Sequence, residues 1–500
     1  MKKRNLVFVT AVVAMIAMGC VGKKTSVEVT TTAQTQGETQ KQESGTEGKE
    51  TAVEEIKKPE SVWWIVHDGL KEEDGTAQWI EEFEKKTDIK LKLDRVANNE
   101  YDQLLDLAFA SGEIPDVFDL SMDNLALYAG QNAIADLTDL VENSDFYSLV
   151  DPSVWDSIRI NGKIYGIPKE VQSPTCTYVR QDWLDRLGME APKTYDEFIT
   201  MLERFKNEIP ECVVPMTAIK QDFSRYMPEF FQGATTELEY VDGKWIDGMQ
   251  QSNMETALSN ARAAYENGLL DQEFITNTTA NSRDQWYGGT VGVFNYMAGM
   301  WGKQLTERLQ LNVPDAKVTA IAPIDGSEYW CQTGKLYCIN AKLSDDEIAS
   351  IFKYFLAYMH DGGEGQVLFQ SGVEGLHWEQ DGEYIKPLPS LSNPDDVINK
   401  IWINPWFAIS EIQMPDKKNE PDEMLDSSLE IGKKYSKQNY VCPVSKTLQK
   451  INSDLTSLKK EIVAKVIMGD MSVEDGMKKY KEEADMLGVD KALEELNAAQ

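Results

Sequence analysis

Residues 61–120 read SVWWIVHDGLKEEDGTAQWIEEFEKKTDIKLKLDRVANNEYDQLLDLAFASGEIPDVFDL, and this stretch decides the fold. Apolar runs at 61–66 and 117–120, together with the apolar alternation at 89–93, predict three short strands. The two segments between them carry apolar side chains on one face, at the 3.6-residue spacing of a helix. Strand, helix, strand, helix, strand predicts a mostly parallel sheet with helices on its faces.

Polar residues follow two of these strands. His67 and Asp68 come directly after the first strand, and Asp119 lies within the third. Ligands of such sheets bind beyond the carboxyl ends of the strands, so these three residues are candidate ligand contacts. For either aspartate the alternative role is a helix N-cap.

A second set of α/β elements begins after residue 168. Apolar runs at 177–180, 213–216 and 290–295 predict further strands. Thr194–Glu197 and Ser344–Glu347 have the spacing of capping boxes, in which two side chains satisfy free backbone amides at a helix start. The sequence therefore predicts an α/β protein with two lobes.

The composition argues against several classes of function. A chain of 500 residues suggests roughly two to four domains. A formal charge of −33 argues against nucleic acid, whose binding needs a basic patch, and against docking on anionic lipid through a basic face. The six cysteines form no close CxxC pair, so neither a disulfide framework nor a zinc site is expected. Cys331 and Cys338 are either a pair across a hairpin or free buried thiols, and we favour free thiols.

The N-terminus has the pattern of a secretory signal. Basic residues at 2–4 precede an apolar run at 6–18, which is shorter than the roughly 20 residues of a membrane-spanning helix. Ala17–Cys20 (AMGC) resembles the lipobox of bacterial lipoproteins, which implies that residues 1–19 are a signal peptide and that Cys20 carries a lipid. The alternative is an ordinary signal peptide followed by an incidental cysteine.

The segment after Cys20 is polar. Residues 20–59 consist mainly of Thr, Gln, Glu, Ser, Gly and Lys, with almost no large apolar side chain. Such a segment cannot bury enough surface to offset the entropy of ordering it. We therefore predict a disordered tether between the lipid and the folded lobes.

Five blocks resemble one protein family when they are taken in order: Trp79–Thr87, Ala110–Val117, Asn161–Pro168, Tyr178–Phe198 and Gly372–Trp378. The family is that of the extracellular solute-binding proteins (family 1) of carbohydrate ABC transporters, and the blocks are most similar to its LplA-like Gram-positive lipoprotein branch. The resemblance implies a type II periplasmic-binding-protein-like fold, in which two α/β lobes with a hinge enclose an interlobe ligand cleft.

The resemblance also implies boundaries and partners. Lobe one would comprise residues 60–172 and about 323–375, and lobe two residues 173–322 and about 376–500. The ligand would be a carbohydrate, most simply an oligosaccharide, delivered to ABC permease subunits in the membrane. A monomer without a cofactor or metal is expected, held at the extracellular face of the membrane by its N-terminal lipid only.

Binding a sugar needs aromatic plates for its C–H faces and carboxylates or amides for its hydroxyl groups. Besides the three residues named above, the candidates at expected cleft positions are Trp286, Phe294, Asn295, Trp301, Trp330, Glu374, His377 and Trp378. Trp402 and Trp406 lie in an apolar loop that either lines the cleft or packs. Trp79, Trp155 and Trp183 are assigned to core packing.

Three other functions compete with sugar import. A secreted glycoside hydrolase is disfavoured because GxSxG, HExxH and Walker motifs are absent from the sequence. A binding protein for a peptide or a charged uronate would use local cations such as Lys163, Lys169 and Arg180. A receptor that presents its ligand to a sensor would share the same fold and site, so only its partner would distinguish it.

Overall fold

The computed structural model describes residues 56–169, 173–219, 223–332, 334–399, 402, 404–406, 414 and 416–498. The predicted signal peptide, Cys20 and all but the last four residues of the predicted tether lie outside these residues. Within the described part of the chain, no helix is both long and apolar enough to span a membrane.

Sixteen strands are named from the described residues. They are β1 Ser61–His67, β2 Lys90–Val96, β3 Val117–Leu120, β4 Ile167–Pro168, β5 Ser173–Arg180, β6 Val214–Thr217, β7 Leu238–Val241, β8 Lys244–Asp247, β9 Val291–Met297, β10 Val318–Ile321, β11 Tyr329–Gln332, β12 Leu336–Ile339, β13 Trp378–Asp381, β14 Tyr384–Pro387, β15 Lys418–Asn419 and β16 Ser436–Gln438.

The α-helices surround these strands. They are α1 Thr76–Thr87, α2 Asn98–Ser111, α3 Met122–Gly130, α4 Thr138–Glu142, α5 Pro152–Ser157, α6 Gln181–Leu187, α7 Tyr195–Glu208, α8 Phe223–Tyr226, α9 Pro228–Phe231, α10 Met254–Glu266, α11 Thr279–Tyr287, α12 Met300–Asn312, α13 Asp345–Ile351, α14 Ala357–Met359, α15 Glu364–Ser371, α16 Glu423–Tyr435, α17 Lys446–Ile467, α18 Val473–Leu487 and α19 Val489–Ala498. A π-helical turn, Phe352–Leu356, joins α13 to α14.

The first lobe is built on a five-stranded sheet of order β2-β1-β3-β12-β4. Its first three strands are parallel, and β12 runs antiparallel between β3 and β4. The parallel strands and the two helices between them confirm what the periodicity of residues 61–120 predicts. Their apolar faces meet in one core that includes Trp64, Trp79 and Phe83.

The second lobe is built on a sheet of order β16-β11-β5-β9-β6, with β10 also paired to β5. Strands β6 and β9 are parallel, whereas β5 runs antiparallel to β9, β10 and β11. Helices pack on both faces of this sheet, as the two separate apolar clusters on it show. The two-lobed α/β fold is therefore confirmed.

The chain crosses between the lobes several times. It passes from β4 to β5, returns from β11 to β12, and crosses again after β16, where the Val441 amide donates to the Ser157 carbonyl at 2.9 Å. The second crossing follows Gln332, about ten residues after the predicted boundary near 323. The reason is that β10 and β11 both hydrogen-bond to β5, which keeps residues 318–332 in the second sheet.

The C-terminal part is divided between the lobes. Trp402 and Trp406 belong to the core of the first lobe, although both lie in the stretch predicted for lobe two. Arg308 of α12 donates to Asp396 at 2.6 Å, so the chain touches the second lobe just before it returns to the first. Helices α17 to α19 pack in the core of the second lobe.

Local predictions at helix starts and in the core are confirmed. Both capping boxes are present, at Thr194–Glu197 and Ser344–Glu347. Trp79, Trp155 and Trp183 are at most 1% exposed and pack in the cores. The cysteines of the described residues, Cys331 and Cys338 included, are free thiols.

The last residues of the predicted tether are held against the first lobe. Tyr354 Oη donates to the Ile56 carbonyl at 2.9 Å, and Ser350 Oγ donates to the Lys57 carbonyl at 2.6 Å. Lys58 Nζ donates to the Thr87 carbonyl at 2.7 Å. Residues 56–58 are therefore part of the folded structure, although they were predicted to belong to the tether.

Candidate functional site

A cleft of about 690 Å³ opens between the two lobes. The first lobe contributes the start of α3, including Met122 and Asn124, which follows the carboxyl end of β3. The second lobe contributes the β7–β8 hairpin, Trp330 of β11, and the segment from β16 into α17. The cleft thus lies at the strand ends where an open α/β sheet places its ligand.

Aromatic rings line the second-lobe side of this cleft. Tyr240 and Trp245 face each other across the hairpin with ring centroids 5.6 Å apart, and Tyr440 meets Tyr240 edge-on at 5.5 Å. Tyr440 is 45% exposed, whereas Trp330 is 8% exposed. Such rings offer flat apolar faces with polar rims, which suits the C–H faces and hydroxyl edges of a sugar.

The hairpin that carries these rings is anchored from behind. The Trp245 amide donates to Asn497 Oδ1 at 2.7 Å, and Asn497 Nδ2 donates back to the Trp245 carbonyl at 3.0 Å. At the hairpin tip Asp242 and Gly243 have φ values of 50° and 81°, as a two-residue type I′ turn requires. The aromatic wall is therefore fixed to α19 and does not depend on the ligand for its shape.

A buried polar triad lies at the carboxyl edge of the first-lobe sheet, from which β3 leads into the cleft-lining start of α3. His67 Nδ1 is 2.5 Å from Asp119 Oδ2, and Lys169 Nζ is 3.1 Å from His67 Nδ1 and 3.4 Å from Asp119 Oδ2. The Asp119 amide donates to Tyr101 Oη at 2.8 Å. Strands β1, β3 and β4 end at this edge, which is why residues 67, 119 and 169 meet there.

The triad has a defined charge state. Burial on its own raises the pKa of Asp119, but Lys169 and His67 outweigh burial and hold that pKa well below its usual range. Burial, and then the charge of Lys169, lowers the pKa of His67. An ionised carboxylate can only accept hydrogen bonds, so Nδ1 of His67, which faces Asp119, carries the proton of the neutral ring. Nε2 is then a hydrogen-bond acceptor. The edge thus presents a neutral imidazole held by an ionised, compensated carboxylate.

The second-lobe edge carries arginines beside aromatic rings. Arg225 of α8 lines the cleft, and its Nη2 lies 3.5 Å from Met297 Sδ at the end of β9. The Arg283 guanidinium carbon lies 4.9 Å from the centre of the Trp301 ring, and that ring meets Tyr296 edge-on at 5.3 Å. Trp301 lies near the start of α12, which follows β9, so these side chains gather at the carboxyl end of β9.

Of the predicted site residues, Trp330 lines the cleft. His67, Asp68 and Asp119 lie at the carboxyl edge of the first-lobe sheet, and Trp301 lies near the start of α12. Asp68 follows the end of β1 with φ of 51°, next to the triad. The roles of these residues in binding stay predictions.

Three other predicted residues lie inside the second lobe. Trp286 and Phe294 are 0% exposed, and Trp286 Nε1 donates to the Leu305 carbonyl at 3.1 Å. Asn295 is also fully buried, and its Nδ2 donates to Thr177 Oγ1 at 2.7 Å. Trp286 lies on α11, a short helix that is polar on most of its surface.

The predicted Glu374–Trp378 group fixes a loop on the first lobe. His377 Nε2 donates to the Asp74 carbonyl at 3.0 Å, and its Nδ1 accepts from the Val373 amide at 2.8 Å. Trp378 Nε1 donates to the Gly372 carbonyl at 2.9 Å, while Glu374 is exposed in the turn. Trp402 and Trp406 pack in the core beside this loop. None of these five side chains lines the described cleft.

Sequence reasoning missed Tyr240, Trp245, Tyr440 and Arg225. The hairpin had a usable signal, since Asp242-Gly243 between aromatic and β-branched residues is typical of a two-residue turn. Of the cations weighed for an anionic ligand, Lys163 pairs with Asp136 at 2.7 Å and Arg180 with Asp182 at 2.7 Å, so only Lys169 belongs to the cleft edge. Over the described residues, no group of three or more His, Cys, Asp or Glu is placed to hold a metal ion.

The chain matches a known family over most of its length. Residues 78–360 match the family model described as bacterial extracellular solute-binding protein. Lipoprotein LipO of Bacillus subtilis (strain 168) is 23% identical over 326 residues, which cover 61% of the chain and 65% of LipO. The match therefore spans slightly less than two-thirds of that relative.

Solved structures share the fold. Alginate-binding protein AlgQ2, in a crystal structure without calcium ion, superposes with a TM-score of 0.65 at 20% identity, covering 88% of the chain and 98% of AlgQ2. An HMO-binding, ABC-transporter-associated solute-binding protein of Bifidobacterium longum infantis ATCC 15697 gives a TM-score of 0.66 at 17% identity, with the same coverage. At these identities the similarity establishes the two-lobed fold.

Proposed function

We propose a function for this chain on one premise, which is that it belongs to the bacterial extracellular solute-binding proteins. It captures an oligosaccharide between its two lobes and delivers it to the permease of an ABC importer. A lipid on Cys20 and the polar segment after it keep the protein at the extracellular face of the membrane. The chain itself performs no catalysis, and ATP is hydrolysed by a separate subunit of the importer.

The aromatic wall of the cleft is the observation that carries this proposal. Tyr240, Trp245, Tyr440 and Trp330 line the second-lobe side of the cleft and supply stacking surfaces. The His67 triad, at the carboxyl edge of the first-lobe sheet, would supply a hydrogen-bond acceptor. Both proteins of known structure described above are named for the glycan that they bind, alginate in one case and HMO in the other, which supports a sugar as the ligand. LipO is named as a lipoprotein, which supports the anchor.

The dimensions favour an oligosaccharide over a single sugar. The second-lobe lining of the cleft runs from the β7–β8 hairpin past Trp330 of β11 to β16 and the start of α17, which is the length of several neighbouring elements. That length suits a short glycan chain rather than one ring. The ligand would touch the first lobe at the triad and the second at the aromatic wall, and it would therefore stabilise the closed arrangement of the lobes.

Thermal unfolding with a panel of oligosaccharides tests the proposal. A ligand that binds only the folded protein must raise the melting temperature, and the shift must grow with ligand concentration. Tyr440→Ala should weaken binding of the glycan that raises it, without unfolding the protein. Tyr435→Ala is the matched control, since Tyr435 is also an exposed tyrosine, at 38%, but does not line the cleft.

Two outcomes would overturn the proposal. If peptides raise the melting temperature and no glycan does, the protein binds a non-sugar solute. If purified protein releases product from oligosaccharides, it is a hydrolase. A Cys20→Ala variant addresses the anchor separately, because it should still bind glycan yet be lost from the membrane and fail to support uptake.

A further inference from the structure

The interlobe cleft has an extension along helix α17. The side chains of α17 that line the cleft recur at alternating steps of three and four residues, which places them on one face of the helix: Ser445, Leu448, Asn452, Leu455 and Lys459. A helix rises about 1.5 Å per residue, so this face is about 21 Å long. The cavity therefore continues along the helix, well beyond Tyr440, which precedes it.

The two ends of this helix face have different surroundings. The start of α17 follows the last crossing between the lobes, whereas the far end is fixed inside the second lobe. There, Lys459 Nζ lies 3.6 Å from Asp247 Oδ1, and Tyr480 Oη donates to Asp247 Oδ2 at 2.7 Å. A smaller neighbouring cavity shares Glu237, Thr456 and Lys459 with this end, and all the residues that line it belong to the second lobe. The far end of the cleft is therefore built from the second lobe.

We name this far end the α17 groove and define it by four exposed residues that line the cleft, Glu237, Gln449, Asn452 and Thr456. The two amides and the hydroxyl both donate and accept hydrogen bonds, and the carboxylate accepts them. Leu455, which is 2% exposed, lies between Asn452 and Thr456 on the same helix face. Polar groups around an apolar floor suit the hydroxyl edges and C–H faces of sugar rings.

We infer that the α17 groove is a second part of the glycan site, which holds the sugar residues at one end of the oligosaccharide, beyond those enclosed between the lobes. The inference rests on the proposed function, since it concerns the same ligand. It assigns chain-length selection to Asn452 and Thr456, whereas the aromatic wall binds the residues on which the lobes close.

This division has a consequence for closure. A ligand shifts the equilibrium between open and closed lobes only through contacts that differ between the two arrangements. Sugar residues in the α17 groove contact the second lobe in both arrangements, so they add affinity without adding to closure. Affinity should therefore rise with chain length after the residues at the aromatic wall are in place.

A homologous series of glycans tests the inference. An array of linear glucose, galactose, mannose, xylose, fructose and N-acetylglucosamine oligomers, each from dimer to hexamer, is applied to the purified protein. Every series that binds is then measured by calorimetry. The hexamer should bind roughly tenfold or more tightly than the dimer, which corresponds to about 1.4 kcal/mol. A smaller gain would overturn the inference.

Substitutions on α17 locate the gain. Asn452→Ala combined with Thr456→Ala should weaken binding of the hexamer about tenfold and leave the dimer unchanged, because two side-chain hydrogen bonds to the far end of the ligand are lost. Ser453→Ala combined with Ser457→Ala is the matched control. These serines have the same four-residue spacing and are also exposed, but they do not line the cleft. Tyr440→Ala should weaken the dimer and the hexamer by the same factor.

The inference fails separately from the proposed function. If the gain with chain length survives in the Asn452 and Thr456 double variant, or is lost equally in the serine control, the extra sugar residues bind elsewhere and the inference is wrong. The protein would still be a sugar-binding protein. If the array shows no binding of any glycan at any length, the proposed function is wrong, and the inference is wrong with it.

Discussion

Asp119 in the first lobe and Glu229 in the second are both fully buried carboxyl groups, yet their pKa values shift in opposite directions. Asp119 has Lys169 at 3.4 Å and His67 at 2.5 Å, and its pKa lies well below the usual range. Glu229 accepts a hydrogen bond from Thr177 Oγ1 at 2.5 Å, while its second oxygen has no partner, and burial raises its pKa to about 7.

Burial is therefore the same at the two sites, and the neighbours decide the charge. The first lobe uses a cation to keep a carboxylate ionised at the cleft edge, where the carboxylate holds His67 in one tautomer. The second lobe keeps its carboxyl group inside the core next to Asn295 and Thr177, and no cation of the described residues forms an ion pair with it. A charge is maintained where it organises the site, and the carboxyl group away from the site is largely neutral below pH 7.

Removing the positive charge of Lys169 should give the largest change in protein stability. Lys169→Met leaves Asp119 buried without its nearest cation, and loss of one partner from a buried pair costs about 3–5 kcal/mol. Urea unfolding at pH 7.5 measures this loss. Lys163→Met is the matched control, because Lys163 pairs with Asp136 on the surface, with 54% and 37% of the two side chains exposed. Equal stability of the two variants would contradict a buried, ionised Asp119.

The contrast between the edges also shows what the sequence can predict. His67 and Asp119 were predictable as neighbours, because they end parallel strands whose order follows from the periodicity of residues 61–120. Lys169 was named only as a possible ligand for an anion, since its contact with Asp119 joins residues 50 positions apart in sequence. Its role depends on β12, which inserts between β3 and β4 and is supplied by the chain some 170 residues later.

The residues that line the second-lobe side of the cleft were harder to predict, because they also depend on contacts between distant parts of the chain. Trp286, Phe294 and Asn295 are close in sequence, and all three are buried. Trp286 is on the buried side of the polar helix α11, and β9, which carries Phe294 and Asn295, is covered on both faces. The residues that do line the cleft come from a hairpin, from β11 and from the last crossing between lobes. Sequence periodicity identifies the elements, whereas the face that each element presents to the cleft depends on tertiary packing.

Glu229→Gln should remove a pH dependence of protein stability, and this effect should be smaller than that of Lys169→Met. Because the folded-state pKa of about 7 lies above the ordinary 4.5, the stability that neutral Glu229 contributes is fully present below pH 4.5 and is lost as the pH rises through 7. A shift of this size corresponds to about 3 kcal/mol. Relative to wild type, the variant should therefore gain stability between pH 5 and pH 8.5.

Unfolding by urea at those two pH values, with wild type and variant in parallel, measures the difference. Glu420→Gln controls for the loss of one carboxylate, because Glu420 is exposed in a loop. If the two Gln variants respond to pH alike, Glu229 is ionised in the folded protein, and the contrast with Asp119 disappears.

Changes in the protonation or identity of His67 should have the smallest effect, and they should alter ligand affinity rather than protein stability. Burial and the charge of Lys169 lower the pKa of His67 from 6.5, so the imidazole stays neutral above that pH and Nε2 accepts a hydrogen bond from the glycan. Affinity measured by calorimetry should be constant from pH 8 to 6.5 and fall only below that range, as the protonated ring loses its acceptor.

His67→Phe should weaken binding about fivefold to tenfold, because the variant lacks one hydrogen bond to the ligand. His377→Phe should leave affinity unchanged, since His377 is bonded to the Asp74 carbonyl away from the cleft. If His377 rather than His67 governs affinity, the ligand contacts the loop at 374–378 instead of the strand ends, and the triad serves only to stabilise the first lobe.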